Sequence, residues 1–224
     1  MKAEVLLNVA NICHLSKVNG PGIRSVVWVQ GCRRNCPGCI NPQTHPHKAV
    51  KLLDPVELGK QLCQIEQTNG ITLSGGEPFE QAKACSILAE TVKSHGKTVM
   101  VFTGFLFEHL ITCQNTDVQH FLGQIDLVVA GPYIQELACE SRLWQASSNQ
   151  TVHFLTPDLS RFLPWEDIEV VEINSSGDKL MFTGFPDRQD IEWMKEILGY
   201  TNSIESAQNG DGHGEDLNGG MNGQ

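Results

Sequence analysis

Short β-branched runs alternate with helical patterns along the first two thirds of this chain, and few folds accommodate that alternation. The runs are "SVVWVQ" (25–30), "ITLS" (71–74), "TVMVF" (98–102), "DLVVA" (126–130) and "TVHFL" (151–155). Each is nearly continuously apolar, as a strand buried on both faces must be. In the gap after the first run, "LLDPVELGKQLCQIEQTNG" offers Asp54 as N-cap, Pro55 at the first helical position and Glu57 three residues after the cap. Leu58, Leu62 and Ile65 then share a face, and Gly70 is expected to stop the helix. "EQAKACSILAETVKSHG" places Ala84, Ile87, Leu88 and Val92 together and ends at Gly96. "FLFEHLITC" (105–113) predicts a third, shorter helix. Repeated strand–helix alternation predicts an α/β fold with a parallel sheet and right-handed crossovers.

The pattern changes after residue 155. "IEVVEI" (168–173) and "KLMFT" (179–183) flank "NSSGD", which predicts a hairpin. "PDRQDIEWMKEIL" (186–198) predicts a last helix, with Ile191, Met194 and Leu198 on its apolar side. Residues 201–224 hold six glycines and almost nothing apolar, and are expected to form a disordered tail. The division is then one domain over 1–200, with its core at about 8–155 and the hairpin and helix at about 165–199, followed by the tail at 201–224.

The formal net charge of −10 argues against a protein that neutralises nucleic-acid phosphates. No apolar run approaches the roughly 18 residues that span a bilayer. "MKAEVLLNVANICHLSK" makes a poor signal peptide, because Asn8, Asn11 and His14 interrupt it. A cytoplasmic chain with no membrane partner is expected. In a reducing compartment its eight cysteines are ligands or buried thiols rather than disulfides. Cys13, Cys63, Cys85, Cys113 and Cys139 stand alone in sequence and are expected to be small buried hydrophobes.

The other three are not alone. "GCRRNCPGC" (31–39) carries Cys32, Cys36 and Cys39 in C-x₃-C-x₂-C spacing, directly after a predicted strand. A structural zinc ion needs a fourth ligand, for which His45 and His47 are candidates. A redox dithiol at Cys36 and Cys39 leaves Cys32 unexplained. A [4Fe–4S] cluster is the third reading: three thiolates hold three irons and leave one open to bind a substrate or cofactor. About one βα unit later comes "ITLSGGEPF", with Ser74, Gly75, Gly76, Glu77 and Pro78 at a strand end. Two glycines let backbone approach a ligand, and a carboxylate beside them can accept hydrogen bonds from an ammonium group.

"VNGPGIRSVVWVQGCRRNCPGCINPQT" resembles the signature of the glycyl-radical-enzyme activases of the radical S-adenosylmethionine (SAM) superfamily. The Cys-Pro-Gly-Cys form is most like the activating proteins of anaerobic ribonucleotide reductase. "VFTGF" (101–105), "DLVVAGPYI" (126–134) and "ASSNQTVHFL" (146–155) extend the resemblance over most of residues 8–155. Ala130 and Ala146 depart from it, standing where an acidic residue and a glycine are expected, and the chain runs past the point where the shortest members stop.

The resemblance implies a partial (β/α) barrel with its site at the carboxyl ends of the strands, followed by the hairpin and helix. It implies one [4Fe–4S] cluster on Cys32, Cys36 and Cys39, and SAM held at its methionine end by Glu77 and the Gly75–Gly76 backbone. Gly38 and Ile40 would pass close to SAM or its adenine, and Thr103 and Asp126 are further contact candidates. The implied activity is the formation of a glycyl radical on a partner enzyme, with electrons from a flavodoxin or ferredoxin. A pyruvate formate-lyase-type activase, a radical SAM enzyme acting on a small molecule and a non-catalytic zinc or iron–sulfur module are the alternatives.

Overall fold

The computed structural model describes residues 5–139, 144–162, 171–176 and 179–185, together with Trp193 and Glu196. One sheet holds seven strands: β1 (Leu7–Ser16), β2 (Arg24–Val29), β3 (Lys51–Leu53), β4 (Gly70–Gly75), β5 (Thr98–Thr103), β6 (Leu127–Ala130) and β7 (Thr151–Phe154). Their order is β3-β1-β2-β4-β5-β6-β7. β2, β4, β5 and β6 run parallel, in registers such as Arg24↔Gly70, Gly70↔Thr98 and Met100↔Leu127. β1 and β3 on one side and β7 on the other are antiparallel. The expected parallel sheet is therefore a mixed one with a parallel centre. β7 departs because antiparallel strands need no helical crossover, and no α-helix lies among the described residues between β6 and β7.

α1 (Pro55–Cys63), α2 (Ala82–Ser94), α3 (Phe107–Thr112) and α4 (Thr116–Leu122) fill the crossovers. Leu62, Leu88, Val92, Leu110 and Phe121 from these helices pack with Val27, Leu73, Val101 and Val128 of the sheet in one buried core. α1 starts as its sequence requires, with Asp54 Oδ1 accepting from the N–H groups of Val56 and Glu57 at 2.7 and 3.1 Å. It ends at Cys63, well before Gly70. Lys97 Nζ donates to the carbonyls of Ile65 and Thr68 and fixes the turn that follows. Gly70 instead opens β4, where a Cβ would overlap the Thr98 carbonyl.

β1, β3 and α4 had no counterpart in the sequence reading. β1 carries Asn8, Asn11 and His14 and is bulged against β2, so its pattern does not alternate cleanly. Its Asn8 is used structurally: Nδ2 donates to the Lys48 carbonyl and Oδ1 accepts from Val50 N–H, which holds the segment leading into β3.

Arg24 sits where β2, β4 and β5 begin, and is wholly buried. It donates to the Thr72 and Thr98 hydroxyls and to the carbonyls of Pro21, Ile71 and Thr98. Burial pulls its guanidinium down to about 9, yet these acceptors keep the charge satisfied. Gly20, at φ +131°, has no room for a Cβ beside Met100 and Arg24. The Gly-Pro-Gly-Ile-Arg block is thus, in part, the device that gathers three parallel strands.

The sheet face opposite the helices buries Met100, Leu127 and Val129 with Trp144 and Leu159, and Phe102 and Phe185 pack against this group. A two-stranded hairpin, β8 (Val171–Ser176) and β9 (Lys179–Gly184), reaches the body here. Its first strand runs on to Ser176, past residue 173 where the sequence pattern ends it, while residues 168–170 lie outside the described residues. Asn19 Nδ2 donates to Thr183 Oγ1 at 2.6 Å and to Ser16 Oγ at 2.9 Å, and Lys17 N–H donates to Glu172 Oε1 at 2.7 Å. Asn19→Ala is expected to cost about 1–3 kcal/mol in urea unfolding, because buried hydroxyls lose their partner. A variant as stable as the parent would show that the hairpin is not fastened at this point. The expected last helix (186–198) lies outside the described residues apart from Trp193 and Glu196, and the tail lies wholly outside them. Among the described residues no helix is long and apolar enough to cross a membrane.

Candidate metal centre

The cysteine loop leaves the carboxyl end of β2. Gly31, at φ +107°, turns the chain, and its N–H donates to the Thr44 carbonyl at 2.7 Å. Cys32 N–H donates to the His45 carbonyl at 3.0 Å, and Gln30 Nε2 reaches the Pro46 carbonyl at 2.7 Å. The start of the loop is thereby braced by the segment that follows it. Cys39 N–H donates to the Cys36 carbonyl at 3.1 Å, a turn that Gly38 makes possible at φ +71°. Gly38 also packs tightly on the Gln135 side chain.

Cys32 is buried, and Cys36 and Cys39 are half-buried. Burial pushes the Cys32 thiol up, the Arg34 backbone N–H pulls it down, and Glu77, Glu80 and Cys39 raise it further. Burial likewise raises Cys39, the Asn41 N–H lowers it and Cys36 raises it. The thiols are close enough to oppose one another's ionisation, a repulsion that bound iron relieves. Among the described residues, no three His, Cys, Asp or Glu side chains gather tightly enough to hold a single metal ion. His45 and His47 line an open cleft of about 420 Å³ with Cys32, Arg33, Asn35 and Pro46, without completing such a group. Three thiols on one loop are the kind of donor set that a multi-iron cluster takes.

The Gly-Gly-Glu turn meets this loop directly. Gly76 N–H donates to the Val29 carbonyl at 2.8 Å and Glu77 N–H to the Gly31 carbonyl at 2.9 Å. A Cβ on Gly75, at φ +92°, would strike Trp28, and one on Gly76 would overlap the Gly31 carbonyl. The close approach that these glycines permit is by the protein's own backbone at the start of the cysteine loop.

Glu77 is 1 % exposed. Its Oε1 accepts from Phe79 N–H at 3.1 Å and from Thr103 Oγ1 at 2.8 Å, and its Oε2 accepts from Gly104 N–H at 2.9 Å. Arg34 Nε lies 3.6 Å from Oε2. Burial raises the carboxyl's pKa, while these three donors and Arg34 oppose the rise. The carboxylate thus serves the fold as well: it caps the 3-10 turn Pro78–Gln81 and ties β4 to the end of β5. A carboxylate has about four lone-pair sites, so three bonds leave Oε2 one open.

Of the other candidates, Thr103 joins Glu77, Ser74 stands next to Gly75 at the end of β4, and Ile40 is 51 % exposed just past the third cysteine. Asp126 is a correction. It precedes β6 and so lies at the amino ends of the strands, away from Thr103, where it is wholly buried and accepts from Val99 N–H, Lys93 Nζ and Thr156 Oγ1. Arg34 and Gly104 were not singled out from the sequence, and no local signal marks them, because their role comes from tertiary contact.

A family profile described as a 4Fe-4S single cluster domain matches residues 18–153. The anaerobic ribonucleoside-triphosphate reductase-activating protein of Salmonella typhi is 33 % identical over 146 residues, which cover 62 % of this chain and 92 % of that protein. The chain belongs to the anaerobic ribonucleoside-triphosphate reductase-activating protein family. The Escherichia coli K12 member is 32 % identical over the same shares of each chain. A putative glycyl-radical enzyme activating enzyme of Haemophilus influenzae is 33 % identical over 119 residues, 52 % of this chain and 45 % of that one. The profile spans both the cysteine loop and the Glu77 turn, and ends before the β8–β9 hairpin.

Proposed function

We propose that this chain is an activating enzyme that uses a [4Fe–4S] cluster and SAM to place a glycyl radical on a partner enzyme of the anaerobic ribonucleotide reductase type. The observation that carries the reading is the direct seating of the Gly-Gly-Glu turn on the cysteine loop, in a chain whose relatives are named as such activators. We take the parallel centre, with helices on one face and the site at the carboxyl ends, as the partial barrel of this enzyme class. A cytoplasmic setting and an external flavodoxin- or ferredoxin-type electron donor belong to the same proposal.

Cys32, Cys36 and Cys39 would hold the cluster. When bound, the cluster would supply one electron to SAM, which would part with methionine and provide the hydrogen-abstracting group for the partner's glycine. The chain's own part is placement. The Glu77 Oε2 lone pair would accept from the ammonium of the methionine end, and Thr103 holds that carboxylate still. Ser74 and the Gly75–Gly76 backbone, at the end of β4 beside the loop, would help hold that methionine end. Gly38 and Ile40, in the cysteine loop, would pass close to SAM or its adenine. A primary alkyl radical attacks whatever C–H is nearest, so this fixed geometry decides which bond reacts.

The test is SAM cleavage. Anaerobically reconstituted protein with dithionite is expected to yield 5′-deoxyadenosine and methionine, measured by chromatography. A chain that carries its cluster and binds SAM yet yields neither product would leave only a binding module.

A further inference from the structure

Arg34 stands between Cys32 and Cys36, and it is attached at both ends. Its backbone is part of the cysteine loop, two residues from Cys32 and two from Cys36. Its guanidinium carbon lies 4.2 Å from the centre of the Phe105 ring, at the far end of β5. Nε faces Glu77 Oε2 at 3.6 Å, and is buried without a hydrogen-bond acceptor. The side chain crosses Gly104, where any Cβ would overlap its Cδ. One residue thus spans from a cluster ligand to the carboxylate and the aromatic ring at the ligand end of the sheet.

We propose that Arg34 is a positioning residue that clamps the cysteine loop onto Glu77 and Phe105 and balances the Glu77 charge beside Cys32. The inference rests on the cluster reading only for its redox consequence. Glu77 N–H donates to the carbonyl of Gly31, the residue before Cys32, so its carboxylate stands beside the cysteine loop, and a cluster takes on negative charge when it is reduced. An unbalanced Glu77 therefore disfavours the reduced state, and in a partly buried site salt screens that effect poorly. The planar guanidinium can lie on a ring and face a carboxylate at once, which an ammonium does less well.

The experiment uses the full chain and the variants Arg34→Gln and Arg34→Lys. In the cluster-free protein, hydrogen exchange read by mass spectrometry is expected to speed up roughly fivefold or more across residues 32–40 in Arg34→Gln, with β2 unchanged as internal reference. In the reconstituted protein, a redox titration followed by electron paramagnetic resonance is expected to give a more negative midpoint for Arg34→Gln. Arg34→Lys is expected to restore the midpoint but only part of the exchange protection. Parent-like exchange in Arg34→Gln overturns the clamp, and a parent-like midpoint overturns the charge balance. Should Arg34→Gln not hold iron, exchange in the cluster-free chain still decides the clamp and Arg34→Lys the potential. Should the parent itself take up no iron, the cluster reading and the charge balance fall together, while the exchange arm continues to judge the clamp.

Discussion

Replacing Cys32, Cys36 or Cys39 by alanine is expected to leave the reconstituted chain almost without cluster, against about four irons and four sulfides per chain in the parent. On the proposed reading the loop supplies three thiols for four irons, so losing one leaves no spare. His45 and His47 line a cleft with Cys32, and a variant that keeps its iron through them would show up in the iron analysis. Cys113→Ala and Cys139→Ala are the controls: both thiols are half-buried and belong to other parts of the chain. Iron and sulfide analysis beside the visible absorption spectrum checks the result. A triplet variant with full iron would place the cluster elsewhere, and stoichiometric zinc in the parent with no iron uptake would remove the cluster altogether.

Glu77→Gln is expected to lower SAM affinity roughly tenfold or more, about 1.4 kcal/mol per decade, with normal iron content. Glutamine keeps the size and one acceptor oxygen, but gives up the charge that an ammonium in a desolvated site requires, a bond worth roughly 1.5–3 kcal/mol. The structure adds a second consequence. Three donors already converge on this carboxylate from Phe79, Thr103 and Gly104. An amide N–H₂ in place of one oxygen sets donor against donor, so thermal stability is also expected to fall by about 1–3 kcal/mol. Calorimetric titration with SAM and denaturant unfolding separate the two effects. Lost stability with unchanged affinity would make Glu77 a cap of its turn and nothing more.

The central strands were legible because burial on both faces makes a run such as Val26–Val29 apolar throughout. β1 was not, because its polar residues serve neighbouring segments: Asn8 holds the chain near Lys48 and Val50, and bulges break its period. The end of α1 was misjudged for a related reason. Gly70 reads as a helix stop, but its missing side chain is needed against the Thr98 carbonyl, a contact invisible along the chain. The cysteine triplet was legible because all three thiols lie within one loop. The partners of Glu77 were not, since Thr103 is 26 positions away and comes near only through the parallel pairing of β4 with β5. Asp126 opens the run 126–130, so chain direction alone puts it at the amino end of its strand, the strand N-cap position rather than a strand mouth.

The central claim is tested most directly by electron paramagnetic resonance on a mixture. The reconstituted chain, SAM and a reductant are incubated anaerobically with an anaerobic ribonucleotide reductase from the same source, and the partner is then examined for a protein radical. The account predicts a glycyl-radical doublet on the partner, lost when Cys36→Ala replaces the parent and lost when the partner's radical-bearing glycine is changed to alanine. SAM cleavage at full rate with no radical on that partner, or on any other glycyl-radical enzyme supplied, would contradict it.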